Sequence, residues 1–159
     1  MTIEDMSETG FEPLNHPGHL VRRLHQICVS IFLDSAAQYD LTHIQYAALH
    51  GIDHFPGIDQ ATLAKLIAID RQTMSNVVTR LSQKGLIQKK MKDKRTNALY
   101  ISGAGRALID IMEQFADEID ERILAPLDRA ERRTFMALLE KLVRENNERS
   151  RAPQSVVKS

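Results

Sequence analysis

Residues 59–105 read DQATLAKLIAIDRQTMSNVVTRLSQKGLIQKKMKDKRTNALYISGAG. Two short helical patterns open this stretch. Asp59 stands where an N-cap carboxylate accepts from the free amides of a first turn, and Leu63, Leu66 and Ile67 follow on one face. Asp70 repeats the device ahead of Met74, Val77, Val78 and Leu81. Gly85 falls where a left-handed residue closes a helix. Two capped helices separated by a short turn make a helix-turn-helix. After Gly85 the periodicity changes. Leu86–Met91 and Asn97–Ile101 are short extended runs around the charged turn Lys92-Asp93-Lys94-Arg95, which predicts a two-stranded hairpin. The turn holds neither Asn-Gly nor Asp-Gly, so the hairpin rests on the runs rather than on turn chemistry.

Working outward, Leu20, Leu24, Ile27, Cys28, Ile31 and Phe32 recur at helical spacing and predict a helix over about 18–39. Thr42 and Gln45 form a capping box for a second helix, with Ile44, Ala47 and Ala48 inward and His54-Phe55-Pro56-Gly57 at its end. Beyond the hairpin, Ser102 caps a long helix with the stripe Leu108, Ile111, Met112, Phe115, Ile119 and Ile123, which Pro126 terminates. Asp128 caps a last helix carrying Phe135, Leu138, Leu139 and Leu142. Residues 1–15 read as a flexible acidic arm and residues 149–159 as a frayed tail.

The chain's 159 residues fit one domain, and a hydrophobic content of 43% excludes wholesale disorder. No apolar run approaches the ~20 residues of a membrane span. The acidic N-terminus has no basic n-region or apolar h-region, so it does not read as a signal peptide. A single cysteine, Cys28, excludes an intramolecular disulfide and a multi-cysteine zinc site. With 21 basic and 21 acidic residues the formal net charge is zero, but its distribution is uneven. Residues 71–106 hold nine Lys and Arg against one acid, Asp93, a local charge of +8. Residues 107–148 hold eleven acids against six bases, a local charge of −5, and residues 1–21 carry four acids and no base. A basic block inside a foldable stretch reads as a phosphate-facing surface.

A helix-turn-helix followed by a basic hairpin is a winged helix. Its second helix enters the major groove, and its wing lies along the backbone or in the adjacent minor groove. With Met74, Val77, Val78 and Leu81 inward, the other face shows Arg71, Gln72, Thr73, Ser75, Asn76, Thr79 and Arg80. Arg pairs with guanine, Gln and Asn with adenine, and hydroxyls with bases or phosphate. The wing tip adds Lys92, Lys94 and Arg95, the last suited to a narrow minor groove.

The segment 61–87 with Asp93, Arg95, Ile101-Ser102 and Gly105 resembles the MarR family of bacterial winged-helix regulators. Ser102 stands for the commoner Thr and keeps the capping oxygen, whereas Lys90 stands where the family often has Arg and loses the bidentate fork. The resemblance implies a mainly α winged helix-turn-helix fold (α+β), with DNA binding at 42–101 and dimerisation helices at 16–41 and 102–148. It implies a cytoplasmic homodimeric repressor, nucleoid-associated on a pseudo-palindromic operator of double-stranded DNA. No catalytic constellation, metal centre, cofactor or membrane partner is expected.

The family commonly binds small aromatic acids between its dimer helices and its winged domain. Here His16, His19, Arg23, Tyr46 and His50 are candidate donors to such a carboxylate, with Phe32 or Tyr39 as apolar wall. Aromatic-compound catabolism is the resulting setting, and a hydroxybenzoate or nicotinate the leading effector. The alternatives are metal sensing, from His50 and His54 one helical turn apart, and redox sensing by Cys28, whose apolar neighbours argue for an inert thiol.

Overall fold

A computed structural model describes residues 16–91 and 96–150. Helix α1 (Pro17–Ala36) runs into a 3₁₀ turn (Ala37–Tyr39), and α2 (His43–His54) follows. Strand β1 (Ile58–Asp59) leads into α3 (Gln60–Leu66) and α4 (Arg71–Gln83). Strands β2 (Ile87–Met91) and β3 (Asn97–Ile101) precede α5 (Gly103–Leu124), α6 (Arg129–Glu145) and a last 3₁₀ turn (Asn147–Arg149). The arm 1–15 and the tail beyond Ser150 lie outside the described residues.

The five helix starts for which the sequence offers a capping residue are capped as those residues dictate. Thr42 Oγ1 accepts from Gln45 N at 3.2 Å, and Gln45 Oε1 accepts from Thr42 N at 3.3 Å. That reciprocal box engages Gln45, the one buried polar side chain among the described residues. Asp59 caps α3 through the amides of Ala61 and Thr62, and Asp70 caps α4 through Thr73 N. Ser102 and Asp128 cap α5 and α6. Gly85 has φ of 70°, the left-handed conformation required just past α4.

The wing hairpin belongs to a three-stranded antiparallel sheet of order β1-β3-β2. Ile58 pairs with Leu99 and Asp59 with Ala98, while Ile87 pairs with Ile101 and Met91 with Asn97. The sequence reading held only the two hairpin strands, because two residues ahead of a helix cap carry no alternation to detect. Around this sheet Leu49, Ile52, Leu63, Met74, Leu81 and Leu99 form the centre of the core.

The inward stripe of α5 also differs from the expectation. Ile109 is buried with Met112 and Ile119, whereas Ile111 is exposed. A helix turns about 100° per residue, so Ile111 lies far round from Ile109. Helix α6 buries no residue, and Leu138 and Leu142 are 56% and 61% exposed. Its first turn is tied to α5 by Arg132, which bonds Glu121 at 2.7 Å and the Leu127 carbonyl at 3.0 Å.

Candidate nucleic-acid interface and an adjoining cavity

Helix α4 is two-faced. Met74, Val77, Val78 and Leu81 are buried, and Arg71, Gln72, Asn76, Thr79 and Arg80 are exposed. Ser75 and Thr73 are half-buried. The Thr73 hydroxyl donates to Asp70 Oδ2 at 2.6 Å, so its hydrogen is engaged at the helix cap rather than free for a phosphate. Those bonds hold the Asp70 carboxyl below its ordinary range. Arg71 borders a groove with Asp59, Gln60, Ala61, Thr96 and Asn97, where the starts of α3 and α4 meet the base of the wing. Sequence reasoning missed Gln60 and Asn97 there, because only the β1–β3 pairing brings them beside Arg71.

The wing's basic character is partly visible. Lys89 and Lys90 are exposed on β2, and Lys90 Nζ sits 4.8 Å from the centre of the Tyr100 ring, a cation–π contact that steadies the strand. Lys92, Lys94 and Arg95 lie outside the described residues. Two of the nine cations in the basic window pair with acids that its +8 charge did not count. Lys84 Nζ pairs with Asp40 Oδ2 at 2.9 Å, and Arg106 pairs with Asp53. The surface open to a nucleic acid is therefore less charged than the bare count, and it is concentrated on α4 and the wing.

A cavity of about 270 Å³ lies between α1, α2 and α5. Phe32, Met112, Ile119 and Ile123 give it apolar walls, and His25, His43, Tyr46, Cys28 and Asp120 supply its polar atoms. The rings interlock: His25 and His43 meet edge-on at 5.5 Å between centroids, and Phe32 lies 5.7 Å from Tyr46. Burial, then the neighbouring His25, pushes His43 below the ordinary imidazole value. Burial, then Glu113, pushes the Tyr46 hydroxyl up. Burial, reinforced by the Asp120 charge, also raises the Cys28 thiol, which reduces its reactive thiolate.

Of the five sequence candidates for this region, only Tyr46 lines the cavity. His50 is one turn further on, its ring 6.1 Å from Tyr46 and its Nε2 3.7 Å from Glu113. His19 and Arg23 lie on another groove of α1, with Arg22, Gln26 and Ser30. His16 is the exposed N-cap residue of α1 and makes no side-chain cap. Phe32 forms the expected wall, whereas Tyr39 packs towards Phe115, 6.3 Å between centroids. His25 and His43 were missed because each follows the helical pattern of its own segment, and only the crossing of α1 with α2 joins them. No group of three or more His, Cys, Asp or Glu able to hold a metal occurs among the described residues. None of their helices is long and apolar enough to cross a membrane.

Comparison with known proteins places this geometry. Residues 39–95 match the MarR family. The HTH-type transcriptional repressor NicR of Pseudomonas putida is 32% identical over 141 residues, 87% of this chain and 89% of that protein. Bordetella bronchiseptica BpsR, whose structure concerns regulation of its DNA binding by 6-hydroxynicotinic acid, superposes with a TM-score of 0.77. It is 30% identical, over 83% of this chain and 97% of that one. The PcaV transcriptional regulator of Streptomyces coelicolor, solved with its natural ligand, gives a TM-score of 0.73 at 30% identity, over 82% and 93% of the two chains.

Proposed function

The chain belongs to the MarR family of transcriptional regulators, and from that premise we propose a dimeric repressor that a small aromatic carboxylate releases from a pseudo-palindromic operator. The observation that carries this reading is α4, with four apolar side chains buried and Arg71, Gln72, Asn76, Thr79 and Arg80 exposed beside a basic wing. Such a helix reads base edges while the wing holds the backbone. In this reading Ser75 and Thr73 support that surface, and Lys92, Lys94 and Arg95 extend it.

Dimerisation is supported by apolar side chains that the single chain leaves open. Leu20, Val21 and Ile27 on α1 and Met136, Leu138 and Leu142 on α6 are all exposed. A monomer has no use for that much apolar surface at its two chain ends. A two-fold pair covers both and sets two recognition helices about one DNA turn apart.

The effector reading rests on the cavity's size and aromatic walls, which suit a single-ring acid of the hydroxybenzoate or nicotinate type. BpsR and PcaV are similar over most of their lengths; the DNA binding of BpsR is described as regulated by 6-hydroxynicotinic acid, and PcaV was solved with its natural ligand. In the dimer, His19, Arg23 and His16 remain candidates for contacts supplied across the interface, and His50 for one relayed through Tyr46. Bound ligand favours a dimer geometry whose recognition helices no longer match the half-site spacing.

Two measurements test the proposal. Anisotropy of labelled operator should show affinity falling steeply with salt, as displaced counterions require. A flat salt response removes the regulator reading. A thermal-shift panel of 6-hydroxynicotinate, 4-hydroxybenzoate and salicylate should raise the melting point for at least one acid, since a native-state ligand stabilises by mass action. A panel that shifts nothing removes the aromatic-acid reading.

A further inference from the structure

Taking the cavity as the effector site, we infer that the His25–His43 pair is its anion-recognition element and that an aromatic carboxylate enters together with one proton. The argument starts from charge. A carboxylate moved into an apolar cavity needs donors and a compensating cation. Among the described lining residues there is no Lys or Arg, and one, Asp120, is an acid. Tyr46 offers a neutral hydroxyl. The remaining donors are the two imidazoles, one from α1 and one from α2, 5.5 Å apart and edge-on.

The groups facing this pair bear on the charge of His43 before a ligand arrives. From α1 comes Cys28, a raised thiol, and from α2 Tyr46, a raised phenol, so both are neutral near pH 7. From α5 comes Asp120, whose charge acts on Cys28, while Glu113 acts on Tyr46 and pairs with His50. His43 is disfavoured as a cation by burial and by His25 itself. A carboxylate placed against the two rings offsets the penalty on His43, because it attracts the charge that burial and His25 deny that ring. His43 is also the first residue of α2, where the partial positive end of a twelve-residue helix favours an anion. The proton comes from solvent and binds an imidazole nitrogen. The ligand stays a carboxylate, and no covalent bond to it forms or breaks.

The test is titration calorimetry of the dimer with 6-hydroxynicotinate, 4-hydroxybenzoate and salicylate, in phosphate and in Tris at matched pH. The tightest acid should take up close to one proton at pH 7.5, read from the dependence of apparent enthalpy on buffer ionisation enthalpy. Uptake should fall only as pH drops through the free His43 value, which lies below the ordinary imidazole range, and affinity should weaken about tenfold per pH unit above neutrality. His25→Gln and His43→Gln should each lose most of the uptake and bind the acid at least tenfold more weakly. Both should keep wild-type operator affinity, which serves as the control for fold. An acid that binds at pH 7.5 without proton uptake overturns this inference and leaves the effector site standing. An uptake that survives both substitutions overturns it too, since the proton then resides elsewhere. Three acids that all fail to bind overturn the site reading and this inference together.

Discussion

Gly103 and Gly105 stand two residues apart in the first turn of α5, and alanine should act on them in opposite directions. At Gly103 a new Cβ meets nothing within 4 Å, and the backbone lies outside the left-handed region. Alanine there removes unfolded-state freedom and should stabilise by about 0.5 kcal/mol. At Gly105 the same methyl falls inside the contact radius of the Leu86 carbonyl oxygen, 3.1 Å from its carbon and 2.8 Å from Ile101 Cγ1. Carbon pairs prefer about 3.5–4.0 Å, so α5 must move off the end of β2. That same corner holds Ser102 N on Leu86 O at 3.0 Å, Ser102 Oγ on Gly85 O at 2.6 Å and Gly105 N on Ser102 Oγ at 3.0 Å. Overpacking costs about 1–3 kcal/mol. A displaced cap adds about 1 kcal/mol. Helix propensity returns less than about 1 kcal/mol. The net loss should be about 2–3 kcal/mol, a fall in melting temperature of roughly 5–10 °C. Calorimetric melts at equal protein concentration measure both variants, because a dimer's midpoint depends on concentration. If Gly105→Ala melts at or above wild type, the close approach of α5 to Leu86 is not what the glycine serves.

Four further outcomes are expected. Leu138→Asp together with Leu142→Asp should convert the dimer to monomer in sedimentation and lose operator binding at least a hundredfold. A variant that stays dimeric places the interface off α6. Asn76→Ala should lower the ratio of operator to random-DNA affinity more than Lys89→Ala does, and Arg95→Ala should weaken operator binding at least tenfold, about 1.4 kcal/mol. Equal losses on operator and random DNA for Asn76→Ala remove its base-reading role. Asp70 has its carboxyl lowered in the fold, so its contribution is present above the unfolded carboxylate range and vanishes as pH falls through the folded value. Asp70→Asn keeps a good cap but does not titrate, so its acid unfolding limb should be shallower than wild type. Superimposable acid limbs count against that linkage.

What was legible in the sequence was whatever is written locally. Asp59, Asp70, Ser102 and Asp128 announce helix starts because an N-cap bond spans only two or three residues. The exposed face of α4 was legible because four buried positions at helical spacing fix the opposite side. The cavity was not. Its histidines come from helices that meet at an angle, and nothing in either segment encodes that crossing. The candidates chosen instead, His19 and Arg23, share α1 with His25 but face another groove. The third strand was hidden for a different reason: β1 is two residues long and borrows its pairing from β3, about 40 residues away. Charge misled by a smaller margin, because Asp40 and Asp53 lie outside the basic window yet neutralise Lys84 and Arg106 within it.

The packing also indicates where a ligand's binding energy can act. The second half of α2 is pressed against α3 so closely that a Cβ on Gly51 would lie 2.8 Å from Leu63 Cδ1. Asp53, the penultimate residue of α2, pairs with Arg106 at the start of α5, and Gly105 seats that start against the sheet. Helices α2, α3 and α4, the sheet and the first turn of α5 thus form one closely packed block, which deforms reluctantly. The cavity lies at this block's edge, where the first turns of α2 face α1 and the middle of α5. There the joints are side-chain contacts such as Arg122 to Asp34 at 3.3 Å, both partly exposed. An exposed pair of that kind holds weakly, by about 1 kcal/mol or less. An aromatic acid bound there, as proposed, would therefore meet least resistance in turning the block against α1. On the proposed reading, that rotation would carry α4 intact, and release would come from a changed distance between two unchanged recognition helices.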